Sequence, residues 1–86
     1  MRILYLHPTR EQRAGTVCIA SVDVELNDDV RLYGLRLMRL ADGHYMIYSP
    51  QSGQRRTATF SPELAAQLTE AAVTRWERLG LANDAA

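Results

Sequence analysis

The chain has 86 residues, of which 47% are hydrophobic and 23% charged, and its ten arginines and ten acidic residues give a formal net charge of zero. This composition excludes a disordered or collagen-like chain, and the length excludes two separate cores, so one domain spanning 1–86 is expected. No apolar run approaches the ~20 residues that cross a bilayer, and a single cysteine cannot close an intramolecular disulfide, so we expect a cytoplasmic protein without a membrane segment.

The first 40 residues predict three strands of an antiparallel sheet. Residues 2–6 form the first strand, and Pro8 is expected to end it. Even-numbered positions from 18 to 26 are apolar while Ser21, Asp23 and Glu25 oppose them, which is the period of a half-buried strand. Turn-forming residues at 27–29 then lead into a second apolar run over 30–40, so a hairpin is predicted.

A three-residue loop sets the register of this hairpin, because a slip by one residue would send apolar side chains to the wrong face. It pairs Glu25 with Arg31 and Val24 with Leu32, so that acid meets base and apolar meets apolar. Beyond Leu32 the apolar alternation shifts by one residue. A β-bulge at Gly34 would absorb that shift.

The second half of the chain predicts two more strands and a helix. Asp42-Gly43 is typical of a two-residue hairpin turn and introduces a strand over 44–48, and a short strand over 54–60 follows. Ser61 as N-cap and Pro62 at the first position then open a helix that Gly80 ends. Its apolar stripe is formed by Leu64, Leu68, Ala72, Trp76 and Leu79. The predicted fold is α+β: a meander of four or five antiparallel strands with one C-terminal helix packed on one face.

One face of such a sheet is left without a helix. The predicted register gathers large apolar side chains there, and an apolar patch of that size on a small protein usually marks an association surface. We therefore expect a homodimer whose interface contains Ile19, Met38, Leu40, Tyr45 and Ile47.

Arginines in the middle of the chain are the candidates for binding an anion. Arg55 and Arg56 are adjacent, follow a loop with the hydrogen-bonding side chain of Gln54, and are the arginines without a nearby acid in the predicted register. They are expected either to contact phosphate or to form an ordinary solvated strand end. Arg39 could join them if the fold brings it near.

Another basic cluster combines Arg31, Tyr33 and Arg36 on one face, an arrangement that suits single-stranded nucleic acid. The favoured interpretation is structural, because Glu25 lies opposite Arg31 and Asp23 lies diagonal to Arg36. Cross-strand ion pairs would cancel much of the field that a phosphate would feel.

From about residue 20 to residue 48 the chain resembles the stage V sporulation protein G (SpoVG) family. The resemblance is carried by Ala20-Ser21-Val22, Gly34-Leu35-Arg36-Leu37-Met38, Gly43, Tyr45 and Pro50, and in the helix by Ala71-Ala72-Val73, Trp76 and Arg78-Leu79-Gly80. It implies a small bacterial dimer that binds DNA and RNA as a regulator linked to septation and sporulation. The chain departs from the family in its shorter, less basic loop over 51–54 and in having no lysine. The resemblance therefore supports the family's fold and dimerisation for this chain more strongly than the family's affinity for nucleic acid.

No other residues indicate catalysis, a metal or a cofactor. His7 and His44 lie far apart without carboxylates or thiols at ligand spacing, and Cys18 falls on an apolar side of its strand. Trp76 lies on the helix stripe and is expected in the core. We expect a non-enzymatic nucleic-acid-binding regulator without a small-molecule substrate. The alternative is a protein-interaction module of the same fold that has lost nucleic-acid binding.

Overall fold

A computed structural model describes residues 1–13, 15–52 and 55–80. The elements are β1 (Arg2–Arg13), β2 (Thr16–Glu25), β3 (Arg31–Arg39), β4 (Tyr45–Tyr48), β5 (Gln51–Ser52), β6 (Arg55–Arg56) and α1 (Pro62–Arg78). Strands β1 to β4 form an antiparallel sheet in chain order, and β5 and β6 form a separate small hairpin. The predicted α+β meander with a C-terminal helix is confirmed, with four strands in the main sheet.

Strand β1 extends well beyond the predicted end. It continues through Pro8 to Arg13, and its register against β2 shifts between Pro8 and Glu11. The prediction that Pro8 ends the strand is therefore wrong. The strand can continue through Pro8 because β1 lies at the edge of the sheet. Proline lacks a backbone donor, and an edge strand with a local irregularity tolerates that loss.

The β2–β3 hairpin has the predicted register. Glu25 lies opposite Arg31 and Val24 lies opposite Leu32. Asn27 closes the loop, since its side-chain oxygen accepts the backbone N–H groups of residues 29 and 30 at 2.8 and 2.9 Å. The loop is therefore fixed by local turn chemistry, as the sequence indicated.

Two bulges change the course of this hairpin. Gly34 adopts a φ of +70° at the predicted bulge, and its N–H donates to Oδ1 of Asp23 at 2.8 Å. Only glycine adopts that backbone conformation without strain. A second shift makes Ile19 the extra residue of β2, and this bulge was not predicted.

The β3–β4 hairpin has a three-residue loop instead of the predicted two-residue turn. The N–H of Leu40 donates to the carbonyl of His44 at 2.7 Å, and the N–H of Gly43 donates to the carbonyl of Leu40 at 2.9 Å. Gly43 has a φ of +91°, as a glycine bulge in such a loop requires. The extra residue slips β4 by one position and so sends its side chains to the opposite faces from those predicted.

This slip overturns part of the predicted dimer interface. Ile47 lies opposite Leu37 and is buried with it, and the Tyr45 ring packs against Trp76 at a centroid distance of 5.9 Å. Ile19 is buried in the same core because of its bulge. The predicted placement of Ile19, Tyr45 and Ile47 on the uncovered face is therefore wrong.

The segment after β4 also differs from the prediction. A strand over 54–60 was expected, but the chain instead forms the short β5–β6 hairpin and then irregular backbone up to Ser61. Two side-chain bonds hold the base of this hairpin. The hydroxyl of Ser49 donates to the carbonyl of Ala58 at 2.8 Å, and that of Thr57 donates to the carbonyl of Pro50 at 2.6 Å.

Helix α1 begins and ends where the sequence predicts. Ser61 Oγ accepts the N–H of Leu64 at 3.1 Å, and Gly80 follows the helix with a φ of +76°. The helix contacts the β4 edge as well as the sheet face, because Thr69 Oγ1 accepts the N–H of Ile47 at 3.0 Å. The same hydroxyl donates to a carbonyl of its own helix at 2.7 Å.

The core lies between α1 and one face of the main sheet. Its buried members are Leu6, Ile19, Ala20, Val22, Val24, Leu35, Leu37, Ile47, Leu68, Ala72 and Trp76. Leu79 was predicted in the helix stripe but is exposed, so the buried stripe ends at Trp76. Within the part of the chain that the structure describes, no helix combines the length and apolarity needed to cross a membrane.

Candidate nucleic-acid interface

The face of the main sheet that α1 leaves uncovered is the candidate site, and we call it the open face. Residues directly opposite one another on neighbouring strands share a face, which fixes its membership from the register. The paired side chains of this face are those of Arg2, Tyr5, His7, Glu11, Cys18, Ser21, Asp23, Glu25, Arg31, Arg36, Met38, Met46 and Tyr48. Tyr33 lies at the bulge and has no partner across the hairpin; it is assigned to this face because it alternates with the inward Leu32 and is 62% exposed. Aromatic and charged residues occupy one part of it and apolar residues the other.

Three tyrosines on the open face expose about half of their surface or more. The exposed fractions are 51% for Tyr5, 62% for Tyr33 and 48% for Tyr48. The ring of Tyr5 is stacked on that of His7, with centroids 6.1 Å apart and planes 13° from parallel. Exposed ring faces on a sheet can stack on unpaired bases, irrespective of base identity.

The arginines among these tyrosines are paired with acids. Nη2 of Arg31 lies 3.2 Å from one carboxylate oxygen of Glu25, which confirms the predicted ion pair. Nη2 of Arg36 lies 2.6 Å from Oε2 of Glu11, so the predicted pairing with Asp23 is wrong. Strand β1 continues beyond Pro8, which brings Glu11 close to Arg36. Glu25 is shared with Arg2, but Asp23 adds a third carboxylate to this face, so its three arginines are balanced by three acids and their field is largely compensated.

Apolar side chains form the other part of the open face. Met38 and Leu40, which were predicted at a dimer interface, line one groove together with Met46 and Phe60. Met38 lies directly opposite Met46 across the β3–β4 pair. Polar side chains, among them Arg36, Ser49 and Thr59, line the groove as well, so the apolar surface that remains from the predicted interface is that of Met38 and Leu40, with Met46 beside them.

The structure places the predicted phosphate-binding residues on two different strands. Arg55 is exposed on β6, opposite Ser52, and Arg56 belongs to the same short strand. Gln54 lies outside the described residues. Arg39 is half-buried on β3 between Val17 and Tyr45, on the face that α1 covers, so it does not share the open face.

Arg55 is not unusual in lacking an acidic partner. Among residues 1–13, 15–52 and 55–80, the side chains of Arg10, Arg39, Arg75 and Arg78 likewise form no ion pair. Arg55 is therefore not distinguished from these arginines by the lack of an acidic partner, and the side chain of Arg56 lies outside what the structure describes. The three arginines that form ion pairs, Arg2, Arg31 and Arg36, all contact carboxylates of the open face.

A hydrogen-bonded pair occupies the exposed β3–β4 loop. Nδ1 of His44 lies 2.9 Å from Oδ2 of Asp42, and this hydrogen bond raises the pKa of His44 and lowers the pKa of Asp42. The described residues contain no cluster of three or more side chains able to hold a metal ion. Cys18 is buried, with Sγ 3.6 Å from the carbonyl of Ala20, but the bulge at Ile19 places it on the open face and not on the inward face predicted for it.

Comparisons with protein-family models, curated proteins and solved structures found no significant match to this chain. The resemblance to the SpoVG family remains a prediction from the residues.

Proposed function

We propose that the chain is a small bacterial cytoplasmic regulator that binds nucleic acid as a homodimer, as the SpoVG resemblance implies, with a role in septation- or sporulation-type regulation. The observation that carries the proposal is the open face, where Tyr5, Tyr33 and Tyr48 are exposed on the side of the sheet that α1 does not cover. Aromatic side chains on an antiparallel sheet are a common platform for the bases of single strands.

Stacking and phosphate binding are assigned to different parts of the molecule. The charges of Arg31 and Arg36 are offset by Glu25 and Glu11. The open face would therefore bind a strand mainly by stacking on its aromatic rings and less by attracting phosphates. Arg55 is exposed and has no acidic partner among the described residues, which leaves its guanidinium available for a phosphate. Bases would stack on the open face while the β5–β6 hairpin contacts the backbone of the strand.

The homodimer uses the apolar part of the same face. Met38, Leu40 and Met46 supply apolar surface beside the tyrosines, and burying it stabilises association by ~25 cal/mol per Å². Replacing Met46 with Asp should therefore yield a folded monomer. Sedimentation equilibrium would measure the change, and an unmutated chain that is monomeric at high micromolar concentration would overturn the dimer.

A protein-interaction module is the second candidate function, and the ion pairs of the open face favour it. A face whose arginines are neutralised by Glu11 and Glu25 attracts a polyanion weakly and can equally meet a protein surface. The absence of any salt-dependent binding to oligonucleotides would favour this candidate.

Fluorescence anisotropy with mixed-sequence single-stranded oligonucleotides tests the main proposal. Losing one stacked base costs ~1–3 kcal/mol, so Tyr33→Ala should weaken binding roughly 5- to 150-fold. Tyr33→Phe keeps the ring and should bind like the unmutated chain. Equal binding by all three proteins would refute stacking at this position.

The same assay tests the phosphate contacts through salt. An Arg55→Ala/Arg56→Ala variant should lower the slope of log affinity against log salt by roughly 1–2 and should weaken all sequences alike. Arg31→Ala is the matched control, because its guanidinium is held by Glu25. If Arg31→Ala loses affinity and the double variant does not, the wrong arginines have been assigned.

A further inference from the structure

A groove between the start of β1 and helix α1 brings arginines together from two distant parts of the sequence. Arg2 lines it from the strand, and Arg75 and Arg78 line it from the last turn of the helix. Ile3 and Ala71 lie between these walls, with polar residues of the helix beside them. We call this feature the arginine groove.

Positive charge predominates in the arginine groove. Three arginines line it against the single lining acid Glu70, although one of them, Arg2, is also paired with Glu25 of the open face. Arg75 and Arg78 are exposed and form no ion pair with any residue that the structure describes. Cations are also favoured at the C-terminal end of a helix by its dipole. That effect explains their position along α1, but not their convergence with Arg2 across a groove.

Arg2 joins the arginine groove to the open face. Its Nη2 lies 2.9 Å from Oε2 of Glu25, and the other oxygen of the same carboxylate lies 3.2 Å from Nη2 of Arg31. Glu25 and Arg31 belong to the open face, whereas Arg2 also lines the groove. The two surfaces therefore meet at the edge of the sheet where β1 begins.

We propose that the arginine groove binds backbone phosphates of the same single strand whose bases stack on the open face. The proposal rests on the proposed function and extends it, because it gives the strand a path around the β1 edge. Arginine suits this role since its planar guanidinium contacts two phosphate oxygens at once. A short strand occupies the open face alone, and a longer one also reaches Arg75 and Arg78.

Oligonucleotide length is the variable that tests this path. Two single strands of the same composition, ~4 and ~12 nucleotides long, are titrated by fluorescence anisotropy at several salt concentrations. With the Arg75→Gln/Arg78→Gln variant the longer strand should bind more weakly, and its salt slope should fall by about 1.4, which is ~0.7 for each lost phosphate contact. The shorter strand should bind as it does to the unmutated chain.

Arg10→Gln is the matched control, because Arg10 is an exposed arginine of β1 that does not line the groove. It should leave the binding of both strands unchanged. Thermal unfolding followed by circular dichroism checks that each variant is folded. If the double variant does not fold, the Arg78→Gln single variant replaces it in the titrations. Its longer-strand slope should fall by about half as much.

The outcomes separate this proposal from the one on which it rests. If the unmutated chain binds both strands and the groove variant binds them identically, only the groove proposal is overturned. An equal loss for the short and long strands also overturns it, because that result indicates a general field effect. If the unmutated chain binds neither strand, the proposed function fails and the groove proposal fails with it.

Discussion

Replacing Trp76 with alanine should be among the most destabilising single changes in this chain. The side chain is 5% exposed, contacts Tyr45 and closes the apolar stripe of α1. Emptying a buried aromatic site costs ~3–5 kcal/mol, and losing a tilted aromatic pair favours the upper half of that range. At ~0.05–0.15 kcal/mol per residue, 86 residues provide only ~4–13 kcal/mol in total. The variant should therefore be marginally folded at room temperature.

Urea unfolding followed by far-UV circular dichroism measures this loss without depending on tryptophan fluorescence. Leu79→Ala is the matched control, because Leu79 follows in the same predicted stripe but is 48% exposed, and its replacement should change stability by ~0.5 kcal/mol or less. Equal costs for the two variants would refute the packing described for α1. An emission maximum typical of solvent-exposed tryptophan in the folded, unmutated chain would refute it independently.

Gly34→Ala should cost ~1–2 kcal/mol in urea unfolding, because Gly34 has a φ of +70° and no atom within 4 Å obstructs an added methyl group, so the cost is one of backbone conformation. Ile47→Asp should abolish the folded circular dichroism spectrum, since it buries a charge beneath α1. In an NMR titration His44 should show a pKa above its ordinary value, and Asp42→Asn should bring that pKa down. Because the pKa of His44 is raised and that of Asp42 is lowered, their pairing stabilises the loop at pH values between the two; it is lost as pH rises through the raised pKa of His44 and as pH falls through the lowered pKa of Asp42.

Local chemistry made the β2–β3 hairpin predictable. Its loop closes through Asn27, and the match of Glu25 with Arg31 fixed the register. The β3–β4 hairpin was mispredicted because Asp42-Gly43 fits both a two-residue turn and the end of a three-residue loop. One residue of difference was enough to place Tyr45 and Ile47 on the wrong face.

The candidate site was only partly visible in the sequence. Tyr33 was considered because it lies between two arginines of one strand, but the structural interpretation of that cluster was favoured, and Tyr5 and His7 were missed. Their odd-numbered spacing along β1 was the available signal, and the expected break at Pro8 obscured it. The positions of Arg75 and Arg78 were explained by the preference for cations at the end of a helix. That they line one groove with Arg2 could be seen only in the tertiary structure.

The Thr69 hydroxyl limits how two copies of this chain can associate. An edge strand normally presents outward-pointing N–H and C=O groups that can add a strand from another molecule. At Ile47 the outward donor of β4 is already taken by Thr69, whose helix lies against that edge. Extension of the sheet from one copy into the next is therefore blocked at this point. Two copies that meet at this point of β4 must therefore do so through side chains and not by pairing a strand with Ile47.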